Sequence, residues 1–182
     1  CITNKFSNSF IEIFIKHNIP VPGHLVFERE NSVIEGTFAM AFPVVVKPQF
    51  EGSSIGLSIV REKGSLKSAL DKAFAFGARV LVEEYISGKE ATCGVINNFR
   101  KRELYALPPI EIVPPSDASF FDYEVKYNGK TEEICPGRFS REEKEEIERL
   151  AKRAHEELGL SQYSRSDFIV AEDGVYFLEI NT

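Results

Sequence analysis

Near the end of the chain two acids, an amide and an arginine recur at strand spacing. Arg165 and Asp167 lie two apart, as do Glu179 and Asn181, and each pair adjoins an apolar run. Side chains two apart on a β-strand share one face. The runs 164–171 and 175–181 are joined by Glu172-Asp173-Gly174, and Gly174 can take the left-handed conformation that closes a three-residue hairpin loop. In that register Ala171 faces Val175, Ile169 faces Phe177, Asp167 faces Glu179, and Arg165 faces Asn181. All four polar side chains then form one patch. A two-residue Asp-Gly turn would instead set Asp167 opposite Ile180, so the patch depends on loop length.

Directly opposed β-carbons are only about 5 Å apart, and like charges there repel. A cation between Asp167 and Glu179 would remove that repulsion. Ligands from Asp, Glu and Asn offer oxygen alone, which suits a hard ion such as Mg2+ bound together with substrate phosphates. The pattern points to a phosphate-handling enzyme. A surface ion pair from Arg165 would stabilise little and would not explain two facing acids between apolar runs.

Other segments offer weaker chemistry. Glu51-Gly52-Ser53-Ser54-Ile55-Gly56 joins two strand-like runs. Its glycines admit close backbone approach, and its amides and hydroxyls could cradle phosphate. It lacks the Gly-Lys-Ser/Thr ending and following helix of a Walker loop, and a ligand-free hairpin fits it too. Lys47 ends the apolar run Val44-Val45-Val46. Its side chain either snorkels to water or serves whatever the loop covers. Glu83-Glu84-Tyr85-Ile86 and Glu90 fit a solvated acidic strand end, or a linker that meets an adenine edge and ribose hydroxyls. Residues 120–127, Phe-Phe-Asp-Tyr-Glu-Val-Lys-Tyr, pack aromatics among charges inside a loop-rich stretch. A lid suits them, and so does an edge strand with alternating faces.

The elements that must position these groups follow from periodicity. Phe6, Phe10, Ile11 and Phe14 have helical spacing, ended by Asn18 and the Ile19-Pro20-Val21-Pro22 segment. Strands are expected at 25–27, 43–48, 57–60, 80–85, 91–96 and 103–113. Ser65 caps a helix with Leu66, Ala69, Leu70, Ala73 and Phe74 inward, stopped by Gly77. Ser140 and Glu143 form a capping box for a helix with Ile147, Leu150, Ala151, Ala154 and Leu158 on one face. Residues 114–136 are expected to be loop. Sequential strands mixed with a few helices imply an α+β fold with mostly antiparallel sheets.

Bulk properties exclude several classes. The 182 residues carry a net charge of -6, without the basic stripe of a nucleic-acid binder. Cys1, Cys93 and Cys135 make neither a zinc pattern nor an even disulfide framework, which points to a reducing, cytoplasmic setting. No apolar run reaches the roughly 20 residues of a membrane span. The start at Cys1 and the stop at Thr182, one residue past the acidic patch, suggest a piece of a longer protein. His17, His24 and His155 are scattered and are assigned no role.

Lys47-Pro48 with the following 51–56 loop resembles the phosphate loop of the D-alanine–D-alanine ligases, members of the ATP-grasp superfamily. The resemblance continues through Glu83 to Glu90, residues 107–112, 121–127, Ile134-Cys135-Pro136, 163–168 and 178–182, in family order. It implies an ATP-grasp fold with two α+β lobes sandwiching ATP, a central lobe at 1–85 and a C-terminal lobe at 86–182. It implies ATP-dependent joining of two D-alanines through an acylphosphate, for peptidoglycan precursors, with ATP and two Mg2+ ions, Mn2+ being an alternative. Lys5, Lys47 and Lys126 would contact ATP phosphates. Glu83, Tyr85 and Ile86 would line the adenine pocket, and Glu90 would hold the ribose. Ser53 and Tyr127 would share a hydrogen-bond network between phosphate loop and lid, with Ser54 beside it. Arg165 would stabilise the transferred phosphoryl group, and Asp167, Glu179 and Asn181 would bind the metal ions.

The expected partners are small molecules, ATP and D-alanine, with no nucleic acid and no membrane. A homodimer of the full-length protein is the expected assembly. The family's amino-terminal domain and the segment expected after Thr182 are absent from this sequence, so the piece alone is expected to be inactive. Gln49-Phe50 replaces the family's more usual small-polar and basic pair. The alternatives are a D-Ala–D-lactate or D-Ala–D-Ser ligase, another ATP-grasp carboxylate–amine ligase, or a non-catalytic ATP-binding module. Tyr127 resembles the dipeptide-forming members, and the intact metal and arginine set speaks against the last alternative.

Overall fold

The structure is a computed structural model that describes residues 7–29, 38–49, 55–115 and 131–182. It divides into two compact units. One is Pro22–Tyr85, and the other joins Cys1–Val21 to Ile86–Thr182.

In the first unit, strands β1 (His24–Glu28), β2 (Val44–Pro48), β3 (Ser58–Val60) and β4 (Arg79–Glu84) form an antiparallel sheet in the order β1-β4-β2-β3. Helix α1 belongs to the other unit and spans Ser7–Lys16; α2 spans Leu66–Phe74. Helix α2 presents Leu66, Leu70, Ala73 and Phe74 to Val44, Val46, Val80 and Val82, all buried. Strand alternation therefore turns Val45, Lys47, Leu81 and Glu83 to the opposite face. Ser65 does not cap α2 through its side chain. A 3-10 turn at Lys63–Ser65 leads into the helix instead.

In the second unit the sheet order is β10-β9-β5-β7-β8, with β6 paired to β5. These strands are β5 (Lys89–Phe99), β6 (Arg102–Ala106), β7 (Ile110–Val113), β8 (Glu132–Ile134), β9 (Tyr163–Ala171) and β10 (Gly174–Asn181). Every pairing is antiparallel. Helix α3, Arg141–Glu157, opens with the expected capping box: the Glu143 amide donates to Ser140 Oγ, and the Ser140 amide donates to the Glu143 carboxylate. Its Ile147, Leu150, Ala151 and Ala154 pack on Ala91, Cys93, Val95, Phe168, Val170, Val175 and Phe177. Burial alternates along β9, with Ser164, Ser166, Phe168 and Val170 inward.

The expected division after residue 85 places helix α1 with the first sheet; α1 packs instead in the second unit. Phe14 lies 4.5 Å from Phe177 between ring centroids, and the Phe177 amide donates to the Pro20 carbonyl. Strand β8 falls inside the stretch expected to be loop. It has only three residues, two of them exposed acids, so no apolar alternation marks it.

Candidate functional site

The acidic hairpin has the expected polar pairs but reaches them by another route. Its turn has two residues, Glu172-Asp173, and Gly174 already pairs with Ala171. Gly174 has φ 157°, far from the left-handed value of about 57°. The opposed pairs are Val175 with Val170 and Phe177 with Phe168, not Val175 with Ala171 or Phe177 with Ile169. Continued regularly, that register would set Glu179 opposite Ser166, on the face that packs against α3. A β-bulge between Phe177 and Glu179 inserts Leu178 and restores the parity. Asp167 then faces Glu179, Ser166 faces Ile180, and Arg165 faces Asn181. The bulge is what brings Glu179 and Asn181 onto the face of Arg165 and Asp167.

Strand β5 extends this face. Thr92 lies opposite Asp167, Glu90 opposite Ile169, and Gly94 opposite Arg165. Glu90, Thr92, Arg165, Asp167, Glu179 and Asn181 therefore share one sheet surface. The Asp167 side chain is 18% exposed. Thr92 Oγ1 donates to Asp167 Oδ1 at 2.7 Å. The Arg165 guanidinium reaches Asp167 Oδ1 and Oδ2, both at 3.3 Å, longer than the usual charge-assisted contact of about 2.8 Å. Burial pushes the Asp167 carboxyl up to about 6, with the neighbouring Glu179 carboxylate adding to the rise and Thr92 and Arg165 opposing it.

This arrangement fits a divalent cation. Two carboxylates in contact, one largely buried, repel in a way that a cation would relieve. The Asn181 amide nitrogen is buried without a partner among the described residues, an orphaned donor on the same face as the two acids. Asp167, Glu179 and Asn181 together offer oxygen alone. Among the described residues no group of three or more His, Cys, Asp or Glu gathers, as expected of a set made from two acids and one amide.

In the first unit, Lys47 and Glu83 meet on the sheet face opposite α2. Lys47 Nζ lies 2.6 Å from Glu83 Oε2, with side chains 27% and 10% exposed. Both were expected at the nucleotide, and the structure joins them to each other. The Tyr85 amide donates to the Pro43 carbonyl, and Tyr85 and Ile86 are half-buried. Lys5, Ser53, Ser54, Lys126 and Tyr127 lie outside the described residues.

Sequence reasoning missed several groups. Thr92 carries no signal of its own, because its partner lies 75 positions away. Glu111 is buried at 5% exposure and is held by Arg138 through its backbone amide and two guanidinium bonds of 2.9 Å. Arg138 keeps the Glu111 carboxyl below the usual carboxylate range. His155 is buried at 1%, with Nδ1 2.8 Å from Ser164 Oγ and Nε2 2.7 Å from Asn97 Oδ1. Cys93 is no nucleophile: burial pushes its thiol up to about 12.

Known proteins give the same direction. The family model D-ala D-ala ligase C-terminus matches residues 13–182. The chain belongs to this D-Ala-D-Ala ligase family. The D-alanine–D-alanine ligase of Syntrophobacter fumaroxidans is 42% identical over 174 residues, covering 94% of this chain and 55% of that protein. That of Flavobacterium psychrophilum is 40% identical over 175 residues, covering 94% and 52%. The chain thus spans about half the length of these ligase relatives.

Among solved structures, the VanG D-Ala:D-Ser ligase of Enterococcus faecalis superposes with a TM-score of 0.83 at 31% identity, covering 97% of this chain and 51% of that one. A D-alanine–D-alanine ligase of Bacillus anthracis gives 0.78 at 31% identity, covering 97% and 56%. A complex of the latter enzyme with ATP gives 0.74 at 27% identity, covering 97% and 54%. The fold is the α+β ATP-grasp fold of these ligases, with antiparallel sheets as expected. No helix among the described residues is long and apolar enough to cross a membrane.

Proposed function

We propose that the protein carrying this chain is an ATP-dependent ligase that joins two D-alanines into D-alanyl-D-alanine for peptidoglycan precursors. The observation that carries the proposal is the pairing of Asp167 with Glu179 beside Arg165 on one sheet face, in a chain of this ligase family. The carboxylate of one D-alanine attacks the γ-phosphorus of ATP, giving an acylphosphate and ADP. The amine of the second D-alanine attacks the acyl carbon, phosphate leaves, and the amine loses a proton.

Phosphoryl transfer needs positioning and charge neutralisation more than covalent help from the protein. Asp167, Glu179 and Asn181 would hold Mg2+, two ions in the family reading, which neutralises phosphate charge. The exposed Arg165 guanidinium lies beside them and would meet the transferred phosphoryl oxygens. Lys47 would contact ATP phosphates, with Lys5 and Lys126. Glu83, Tyr85 and Ile86 would face adenine, and Glu90 the ribose. Ser53, Ser54 and Tyr127 would link phosphate loop and lid, excluding water that would hydrolyse the acylphosphate.

Pro22–Tyr85 and Ile86–Thr182 would correspond to the central and C-terminal ATP-grasp lobes. ATP and D-alanine are the proposed partners, without nucleic acid or membrane, in a cytoplasmic homodimer. The test is product analysis of the complete protein with ATP, Mg2+ and D-alanine, with D-lactate or D-serine as competitor. D-alanyl-D-alanine as the main product is expected. Exclusive formation of D-alanyl-D-lactate or D-alanyl-D-serine would overturn the substrate assignment. Nucleotide binding without D-alanine-dependent phosphate release would replace the enzyme by a binding module.

A further inference from the structure

We propose that Thr92 is the positioning residue for Asp167, its hydroxyl holding the carboxylate in the orientation that a divalent cation requires. The proposal rests on the metal reading of Asp167, Glu179 and Asn181 given above.

The geometry begins with register. Thr92 on β5 and Asp167 on β9 are directly opposed, so their β-carbons are held within about 5 Å by the backbone ladder. Threonine is stiff at χ1 because its β-carbon is branched, so the hydroxyl has few places to go. An ionised carboxylate can only accept, and the hydroxyl has one proton to give. Two acceptors are in reach, Asp167 Oδ1 at 2.7 Å and the Ser166 carbonyl at 3.3 Å. The shorter contact takes the proton.

Arg165 is the competitor. It sits two residues before Asp167 on the same face, with its side chain 54% exposed and both contacts to Asp167 at 3.3 Å. Guanidinium and carboxylate prefer two parallel bonds of about 2.8 Å. Here the guanidinium meets both Asp167 oxygens, Nε at Oδ1 and Nη2 at Oδ2, in a fork lengthened to 3.3 Å, so Oδ1 is shared between Thr92 and Arg165. The 2.7 Å Thr92 bond is the shorter of the two contacts at Oδ1 and fixes the rotation of the carboxylate. Asp167 thus stays turned toward the face it shares with Glu179 and Asn181. The hydroxyl acts through Asp167 and touches neither cation nor substrate.

Partners that orient a metal ligand typically change metal affinity about 10–100-fold when removed. The experiment measures Mn2+ binding to the complete protein by the paramagnetic resonance signal of free Mn2+, a readout independent of turnover. Melting temperature is recorded beside it. Thr92→Val keeps the shape and removes the hydroxyl, and should weaken Mn2+ binding about 10-fold or more with a near-parent melting temperature. Thr92→Ser keeps the hydroxyl and should stay within about 3-fold of the parent. Equal affinity in Thr92→Val and parent overturns the proposal. Equal loss in Thr92→Ser and Thr92→Val also overturns it, since the methyl group would then be responsible. Should Thr92→Val fail to fold, Thr92→Ala against Thr92→Ser decides by the same criterion. Asp167→Asn separates the two levels: if it binds Mn2+ like the parent, the metal reading itself falls, and the Thr92 proposal with it.

Discussion

Removing the Lys47 charge should cost stability as well as nucleotide affinity. Lys47 and Glu83 lie on neighbouring strands, their atoms 2.6 Å apart, with the Glu83 side chain only 10% exposed. Val45 and His24 flank Glu83 directly across the sheet. With an effective dielectric of about 20, the attraction at this separation is on the order of 6 kcal/mol. Desolvation of each ion costs several kcal/mol, so the net pair is worth far less than the Coulomb figure. Lys47 is also 27% exposed, which screens it further. A coupling of about 1–3 kcal/mol remains, within the usual span for contacting residues.

The perturbation is a double-mutant cycle with Lys47→Met and Glu83→Gln in the complete protein, followed by urea unfolding without nucleotide. Lys47→Met keeps the aliphatic stem and strands the carboxylate, so it should be the more harmful single change. Adding Glu83→Gln to it should recover part of the loss. Penalties that add to within about 0.5 kcal/mol would show the two groups to be independent and would refute the reasoning. ATP titrations of Lys47→Met then report the nucleotide role separately.

Further predictions concern the frame beneath the acidic face. The buried His155 prefers its neutral form, because burial lowers its pKa below 6.5. Between the folded value and 6.5 the unfolded chain binds more protons, so stability is fully present above 6.5 and is lost as pH falls through the folded value. Urea midpoints from pH 8 to 5 should fall in the parent and flatten in His155→Gln, which at pH 8 should be weaker by about 1–3 kcal/mol; parallel curves would remove His155 as the source. Phe177→Ala deletes a ring 4.5 Å from Phe14 and 5.3 Å from Phe168, and should cost about 3–5 kcal/mol in urea unfolding. Gly88→Ala should cost about 1–3 kcal/mol, because its β-carbon would overlap the Val170 carbonyl; an unchanged midpoint would contradict that close approach.

What was legible in the sequence depended on how local the physics was. The Ser140–Glu143 capping box and the inward stripe of α3 are set within a few residues, and both were readable. The Asp167–Glu179 and Arg165–Asn181 pairs were also readable, although the turn was not. A shorter turn shifts the register one way, and the Leu178 bulge shifts it back. Period-two alternation constrains only the parity, so the polar face survived two compensating departures. Nothing local announced the bulge. Thr92 and Glu111 depend on strand pairings or contacts made across long stretches of chain, so single-segment patterns could not reveal them. The packing of α1 in the second unit was hidden for the same reason: its apolar spacing says which face is buried, not which sheet buries it.

Phosphate release from ATP, with and without D-alanine, is the most direct test of the acidic face as a cation site for ligation. The complete protein and its Glu179→Gln variant would be compared across a Mg2+ titration. The parent should release phosphate only with D-alanine. Glu179→Gln should lose at least about 100-fold of that rate at limiting Mg2+, on the scale of ~2.7 kcal/mol of transition-state stabilisation, while keeping the parent's unfolding midpoint. A variant as active as the parent at limiting Mg2+ would contradict the account.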